Sequence, residues 1–301
     1  MTGRWDGRGV GPIGPAEDES YSEYVEDRSA SPSVQQAGDD LAATRVFYGE
    51  DHPETLEAMM RLARAHRDAG DTAIARSILV DVLSAQRRLL GDDHVDTTRT
   101  EFELGLVLGR LGDHFSACEV QERVLQSAER QYGADSEYAT RAAINLANSL
   151  RKLKRYDAEL VLRERVVDAR RRAVGAEDVA FLRSLADLAV VNQNLEHFNL
   201  AFELSQIVVD GFVEQQVDRR TIIELQLNMV SDLVRLKRAA EAAELFETVY
   251  GEIVSDFPRD DPLRKYVERQ RRFMGMLGKA AKRRDDQRVR RLGRREPRPP
   301  P

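Results

Sequence analysis

Five histidines, a single cysteine and a few paired acids are the residues of this 301-residue chain with the means to do chemistry. His52 follows Glu50-Asp51 and His94 follows Asp92-Asp93, so imidazoles and carboxylates stand together at two places. Those are zinc-ligand types, but a zinc site needs three or four of them converging on one point. Capping of the helices that begin there is expected instead, of both histidines and of the Asp pairs, whose charge also suits a helix N-terminus. His66 falls in a slot that Leu108 and Leu150 fill further along, which points to packing. Cys118 adjoins Ala117, and no histidine recurs at a fixed spacing to activate it, so a buried, inert thiol is expected. No glycine-rich phosphate loop opens a helix after a strand ("GRGVGPIG" included), and neither HExxH nor a calcium loop occurs. The expectation is a non-enzymatic chain with no catalytic residue, metal or cofactor.

The elements that position these residues follow from self-similarity. "YGEDHPETL" at Tyr48 returns as "LGDDHVDTT" at Leu90, "YGADSEYAT" at Tyr132 and "VGAEDVAFL" at Val174, with Gly49, Gly91, Gly133 and Gly175 spaced by 42 each time. A fifth copy, "QVDRRTIIE" from Gln216, has lost the glycine. Inside each copy apolar residues recur three and four apart, which is one face of a helix. Two helices per copy are expected, the first about 14 residues long, with Pro53 in the first turn of the opening one. They turn at Gly70-Asp71, Gly112-Asp113, Lys154-Arg155 and Glu196-His197. Leu62-Ala63, Leu104-Gly105, Leu146-Ala147 and Leu188-Ala189 put a small residue after an apolar one, and Ala75, Ala117 and Ala201 supply a second small position, with Ala158 one place early. Small residues at both points let paired helices approach closely.

This small-residue and turn placement resembles the tetratricopeptide repeat, and the 42-residue unit with its "LGDDH" link resembles the kinesin light chain type. The resemblance covers roughly residues 45 to 255 and implies an all-α fold, a right-handed superhelical solenoid of helix pairs whose first helices line a concave groove. It also implies protein binding: an adaptor or scaffold that takes a peptide or a partner surface, or a regulator that senses a peptide. On the first helices the groove positions include Glu57, Met60, Arg61, Arg64 and Arg67, then Arg99, Phe102, Glu103 and Leu106, then Arg141, Ile144, Asn145, Asn148, Arg151 and Lys152, then Asp187, Val190, Gln193 and Asn194, then Asn228, Ser231 and Arg235. In that family groove asparagines hydrogen-bond the backbone of extended peptides; the matching positions are Asn145 and Asn228, with Asn148 one turn on. The chemistry suits the task, because an amide can pair both groups of a peptide unit without the desolvation penalty of a charge. Both Asn145 and Asn148 are expected to point away from the packing face. Arg141, Arg151 and Lys152 beside them would favour an acidic peptide or a C-terminal carboxylate.

Charge and composition complete the plan. Formal net charge is −6, yet residues 264–301 hold 15 Lys or Arg against 4 Asp or Glu, giving +11 and leaving −17 for the rest. Residues 1–40 are expected to be a disordered acidic segment, 41–256 the repeat array, 257–284 a capping helix packed through Tyr266, Val267, Phe273, Met276 and Leu277, and 285–301 a disordered Arg/Pro-rich tail. That tail could contact nucleic acid or an anionic surface through its charge. One cysteine, no apolar stretch after Arg4 and Arg8, and no run of ~20 apolar residues point to a cytoplasmic chain with no transmembrane segment.

Overall fold

The structure is a computed structural model and describes residues 33–293. Residues 1–32 and 294–301, which hold most of the two segments expected to be disordered, lie outside the described residues. All regular structure among the described residues is helical. Helix α1 (Val34–Tyr48) precedes five first-and-second helix pairs. These are α2 (Pro53–Asp68) with α3 (Thr72–Leu90), α4 (Val95–Arg110) with α5 (His114–Tyr132), and α6 (Glu137–Lys152) with α7 (Tyr156–Val174). Then come α8 (Val179–Asn194) with α9 (Phe198–Glu214), α10 (Arg219–Arg235) with α11 (Ala239–Asp256), and finally α12 (Pro262–Gly293). The fold is all-α, as the repeat implied, with first helices of 16 or 17 residues.

The helices divide into two compact units, which meet in sequence at Val174. In the N-terminal unit each helix from α1 to α6 packs on the next, and α4 also touches α6. Their shared core contains Met60, Leu79, Val107, Val124, Leu146 and, from α7, Val166. In the C-terminal unit α8 to α12 pack in the same successive way, with Ile223, Phe246, Val249, Ile253, Val267 and Met274 in the core.

Each first helix is capped at its start. Nδ1 of His52 accepts from the Glu54 N–H at 3.2 Å, and Nδ1 of His94 from the Asp96 N–H at 3.2 Å. Ser136, Asp178 and Asp218 do the same with side-chain oxygens. The histidines beside acids are therefore caps, each satisfying a backbone donor that its helix leaves open. Each first helix also ends alike. The residues at the turn have positive φ: Gly70 90°, Gly112 78°, Lys154 58°, Glu196 63° and Lys237 61°. The next N–H reaches back five residues, as from Asp71 to the His66 carbonyl at 2.8 Å and from Arg155 to the Leu150 carbonyl at 2.9 Å, which satisfies carbonyls left open by the last turn.

The links between repeats explain why one glycine persists and another does not. Gly49, Gly91 and Gly133 combine φ near 90° with ψ of 173°, 169° and 156°, a region that only glycine enters without strain. The turn inside the repeat is ordinary left-handed backbone, which Lys154, Glu196 and Lys237 can adopt at a cost. The fifth repeat lost its link glycine because that link is rebuilt: α9 stops two residues early and Gln216 takes a left-handed φ of 55°. The preceding links are further tied by Arg88 to Asp51 at 2.7 Å, Arg130 to Asp93 at 2.5 Å and Arg172 to Asp135 at 2.6 Å. These three pairs share one repeat position. The fourth repeat has Glu177 and Glu214 there, two like charges, and the series stops.

Two boundaries differ from the sequence reading. Helix α1 begins at Val34, capped by Ser33, inside the segment taken to end at residue 40. Helix α12 runs nine residues past 284, to Gly293. On α12 it is Met274 that enters the core; Met276 is exposed. Gly91→Ala is expected to destabilise the chain by more than about 1 kcal/mol. Lys154→Gly should be neutral or stabilise by up to about 1 kcal/mol, since left-handed strain outweighs the backbone entropy of a glycine. Thermal unfolding of the two variants checks the difference in sign.

Candidate functional site

The candidate site is the outer face of the first helices, and in the N-terminal unit it is built by α2, α4 and α6. On α2 and α4 the polar groups are largely spent on each other. Arg99 pairs with Glu57 across the two helices and with Asp96 at 3.3 Å. Arg64 reaches Glu103 at 2.9 Å, and Arg67, itself buried, also pairs with Glu103. Burial alone would lower the Arg67 pKa, but Glu103 and Asp68 outweigh it and raise the value, so the guanidinium stays charged. Between α4 and α6 the contact is aromatic. Phe102 and Tyr138 lie 5.5 Å apart, and the Arg141 guanidinium sits 6.0 Å from the centre of the Phe102 ring. Burial pushes the Tyr138 hydroxyl far above the usual phenol range. Arg61 has no ion-pair partner among the described residues.

Helix α6 carries both asparagines of these three helices, and they differ. Asn145 is half-exposed and hydrogen-bonds no other described residue. Asn148 is committed to the interior: its Oδ1 accepts from Nη2 of Arg163 at 2.5 Å. Arg163 is 1% exposed and its Nε lies 3.4 Å from Oε1 of Glu159, which is fully buried. Arg151 donates to the same Glu159 oxygen at 2.6 Å. The expectation that Asn148 points away from the packing face is thus corrected, and Arg151 serves the same buried network. Sequence carried the signal: Glu159 stands where the other repeats have Ala75, Ala117 and Ala201, and an acid in that tight slot requires cations. Lys152 is exposed at the end of α6 and close enough to His114 to lower its pKa, second to the effect of burial.

In the C-terminal unit the expected site residues separate. Asn194, at the end of α8, is half-exposed and makes no hydrogen bond to another described residue. Asn228 is 5% exposed on α10, so it is a core-facing amide and not an open one. Met60, Arg67, Ile144 and Val190, also read as groove positions, are buried. Sequence reasoning overlooked Asp232. It occupies a core position that is Ala65, Val107, Ser149 and Val191 in the other repeats, and it is 1% exposed. Nε2 of Gln193 donates to both its oxygens, at 3.0 and 2.9 Å. Burial pushes the Asp232 carboxyl up to about 7, against the opposing pull of Gln193.

His66 is half-buried and its Nδ1 lies 3.1 Å from Asp71. Cys118 is buried and free, and burial raises its thiol pKa. Among the described residues no three His, Cys, Asp or Glu side chains converge as metal ligands, and no helix is long and apolar enough to cross a membrane.

Successive antiparallel helix pairs with capped first helices, a left-handed turn inside each pair and small residues at the contact define a helical repeat protein. Family models described as tetratricopeptide repeat match residues 55–96 and 96–172. No curated protein sequence matches the chain. Among solved structures the chain is similar to kinesin light chain nearly identical TPR-like repeats from Podosopora anserina (TM-score 0.59, 21% identity, 69% of this chain and 99% of that one). It is also similar to BtubC (BKLC) from P. vanneervenii (0.60, 14%, 78% and 96%) and to MamA from Desulfovibrio magneticus RS-1 (0.53, 20%, 67% and 97%). The matched repeats thus have the tetratricopeptide architecture, a class that generally serves protein–protein interaction and is typically not catalytic, and the likeness to kinesin light chain-type repeats is one of fold.

Two consequences can be measured. Asn148→Ala should cost about 1–3 kcal/mol of stability by depriving buried Arg163 of an acceptor, seen as a lower Tm, whereas Asn145→Ala should leave Tm unchanged. Asp232 holds its proton in the folded state up to a higher pH than in the unfolded chain. Its contribution is complete below the ordinary carboxylate range and is lost as pH rises through about 7. Denaturant unfolding should show stability falling between pH 4 and pH 7, approximately the span from 3.8 to about 7, with a shallower fall in Asp232→Asn.

Proposed function

We propose that this chain is a non-enzymatic adaptor that holds an extended segment of a partner protein across the first helices of the N-terminal unit, with α6 at the centre. The observation that carries this reading is Asn145. It is the amide on α2, α4 and α6 with both its donor and its acceptor left over, on a face whose other groups are mostly engaged. A backbone peptide unit offers one acceptor and one donor and can use both. Phe102 and Leu106 beside it are half-buried and give an apolar side chain somewhere to rest. Arg61, with no ion-pair partner among the described residues, and exposed Lys152 favour acidic residues in the bound segment. Arg99 and Arg151, held by Glu57 and Glu159, contribute shape more than charge. Sensing of a peptide signal would use the same contacts, and the adaptor reading asks nothing further of the fold.

Peptides selected from a random library against the full chain supply the probe. They are expected to be enriched in Asp and Glu. Asn145→Ala should weaken the selected peptides by about tenfold, equivalent to about 1.4 kcal/mol, within the range for a hydrogen bond lost from a desolvated group. Glu122→Ala, exposed on second helix α5, should change nothing. Intact affinity in Asn145→Ala together with loss in Glu122→Ala would place binding on the opposite face and sink the reading.

A further inference from the structure

Helix α12 has two contrasting faces. Leu263, Val267 and Met274 enter the core of the C-terminal unit. The opposite face presents Lys265, Arg269, Arg272, Met276, Lys279 and Arg283, all exposed. Their spacing alternates four and three residues, so they form one straight seam about 27 Å long at 1.5 Å per residue. None of the five cations has an acidic partner among the described residues. Arg271, one position off the seam, does pair with Glu247 at 3.6 Å and stacks 4.1 Å over the Tyr250 ring. The seam is therefore the part of the helix that the fold leaves without countercharge.

Helix α9 shows the complementary pattern. It contains no Lys or Arg. Its exposed face carries Leu200, Glu203, Ile207, Asp210 and Glu214, again three and four apart, over about 21 Å. Leu200 and Ile207 are 46% and 53% exposed, and the three acids have no cationic partner among the described residues. Two seams with the same period, opposite charge and apolar residues within each are what two helices need to pack side by side.

We infer that the basic seam of α12 docks on the acidic seam of α9 in a second copy of this chain. Apolar Leu200 and Ile207 favour this partner over a phosphate backbone, which would leave them exposed and would have no use for Met276. The contact joins different surfaces, so it is heterologous and extends beyond a pair unless two such contacts close on each other. It uses helices other than α2, α4 and α6, which build the face proposed for peptide binding.

The test is sedimentation of the full chain over a concentration series at about 0.05 M and about 0.5 M salt, where screening lengths differ severalfold. Mass should rise with concentration at low salt and fall back at high salt. Reversing α12 (Arg269→Glu, Arg272→Glu, Lys279→Glu) should weaken association at least tenfold, as should reversing α9 (Glu203→Lys, Asp210→Lys, Glu214→Lys). Mixing the two reversed chains should restore association with the two chains alternating, because the unaltered α9 of one meets the unaltered α12 of the other and the two altered seams match each other. A single chain carrying both reversals should recover self-association, with helical content unchanged throughout. A monomer at low salt overturns the inference. So does self-association that survives either reversal, or binding of heparin through α12 with no self-association.

Discussion

The whole arrangement depends on how closely the first and second helix of each repeat can approach. Ala63, Gly105, Ala147 and Ala189 on the first helices, and Ala75, Ala117 and Ala201 on the second, are buried at that contact. Their lack of side-chain volume lets the backbones come together. A methyl added at Gly105 would meet Cγ of Gln121 at 2.9 Å, so an alanine there would force the Gln121 side chain to shift. A close approach fixes the angle between the two helices, and with it the position of every residue on the first-helix face.

The third repeat meets this constraint differently. Glu159 replaces the alanine, and burying its charge is tolerated only because Arg151 and Arg163 surround it. Asn148 then completes the coordination of Arg163. A polar cluster of this kind specifies one alignment of α6 on α7, since any slip would leave buried charges without partners. It also decides which groups α6 has left for a ligand. Two of the polar side chains on that helix are consumed by the interior, and Asn145 is left over.

A similar division operates along the face itself. Ion pairs between α2 and α4 hold neighbouring repeats together and neutralise much of the charge that their sequence displays. An arginine count therefore overstates how basic the face is. The face as it stands is a mixed surface: an uncommitted amide, half-buried Phe102 and Leu106, and a few cations at its ends.

Several features were legible in the sequence by itself. The 42-residue period, the paired helices, the small-residue contacts, the capping by His52 and His94 and the turn positions are all local or periodic. Each is set by backbone preferences or by volume, which residue type alone expresses. Substitutions that break the period were legible too, Glu159 for alanine and Asp232 for an aliphatic residue among them, although their meaning was not. What only the tertiary structure decided is which polar side chains are already used. Asn145 and Asn148 are the same residue type three positions apart on one helix, yet one faces outward and the other holds a buried arginine that is distant in sequence. Asn228 matches Asn145 in the repeat and is nonetheless buried. Hydrogen-bond satisfaction depends on partners from other helices, and a pattern along one chain cannot show where those partners lie.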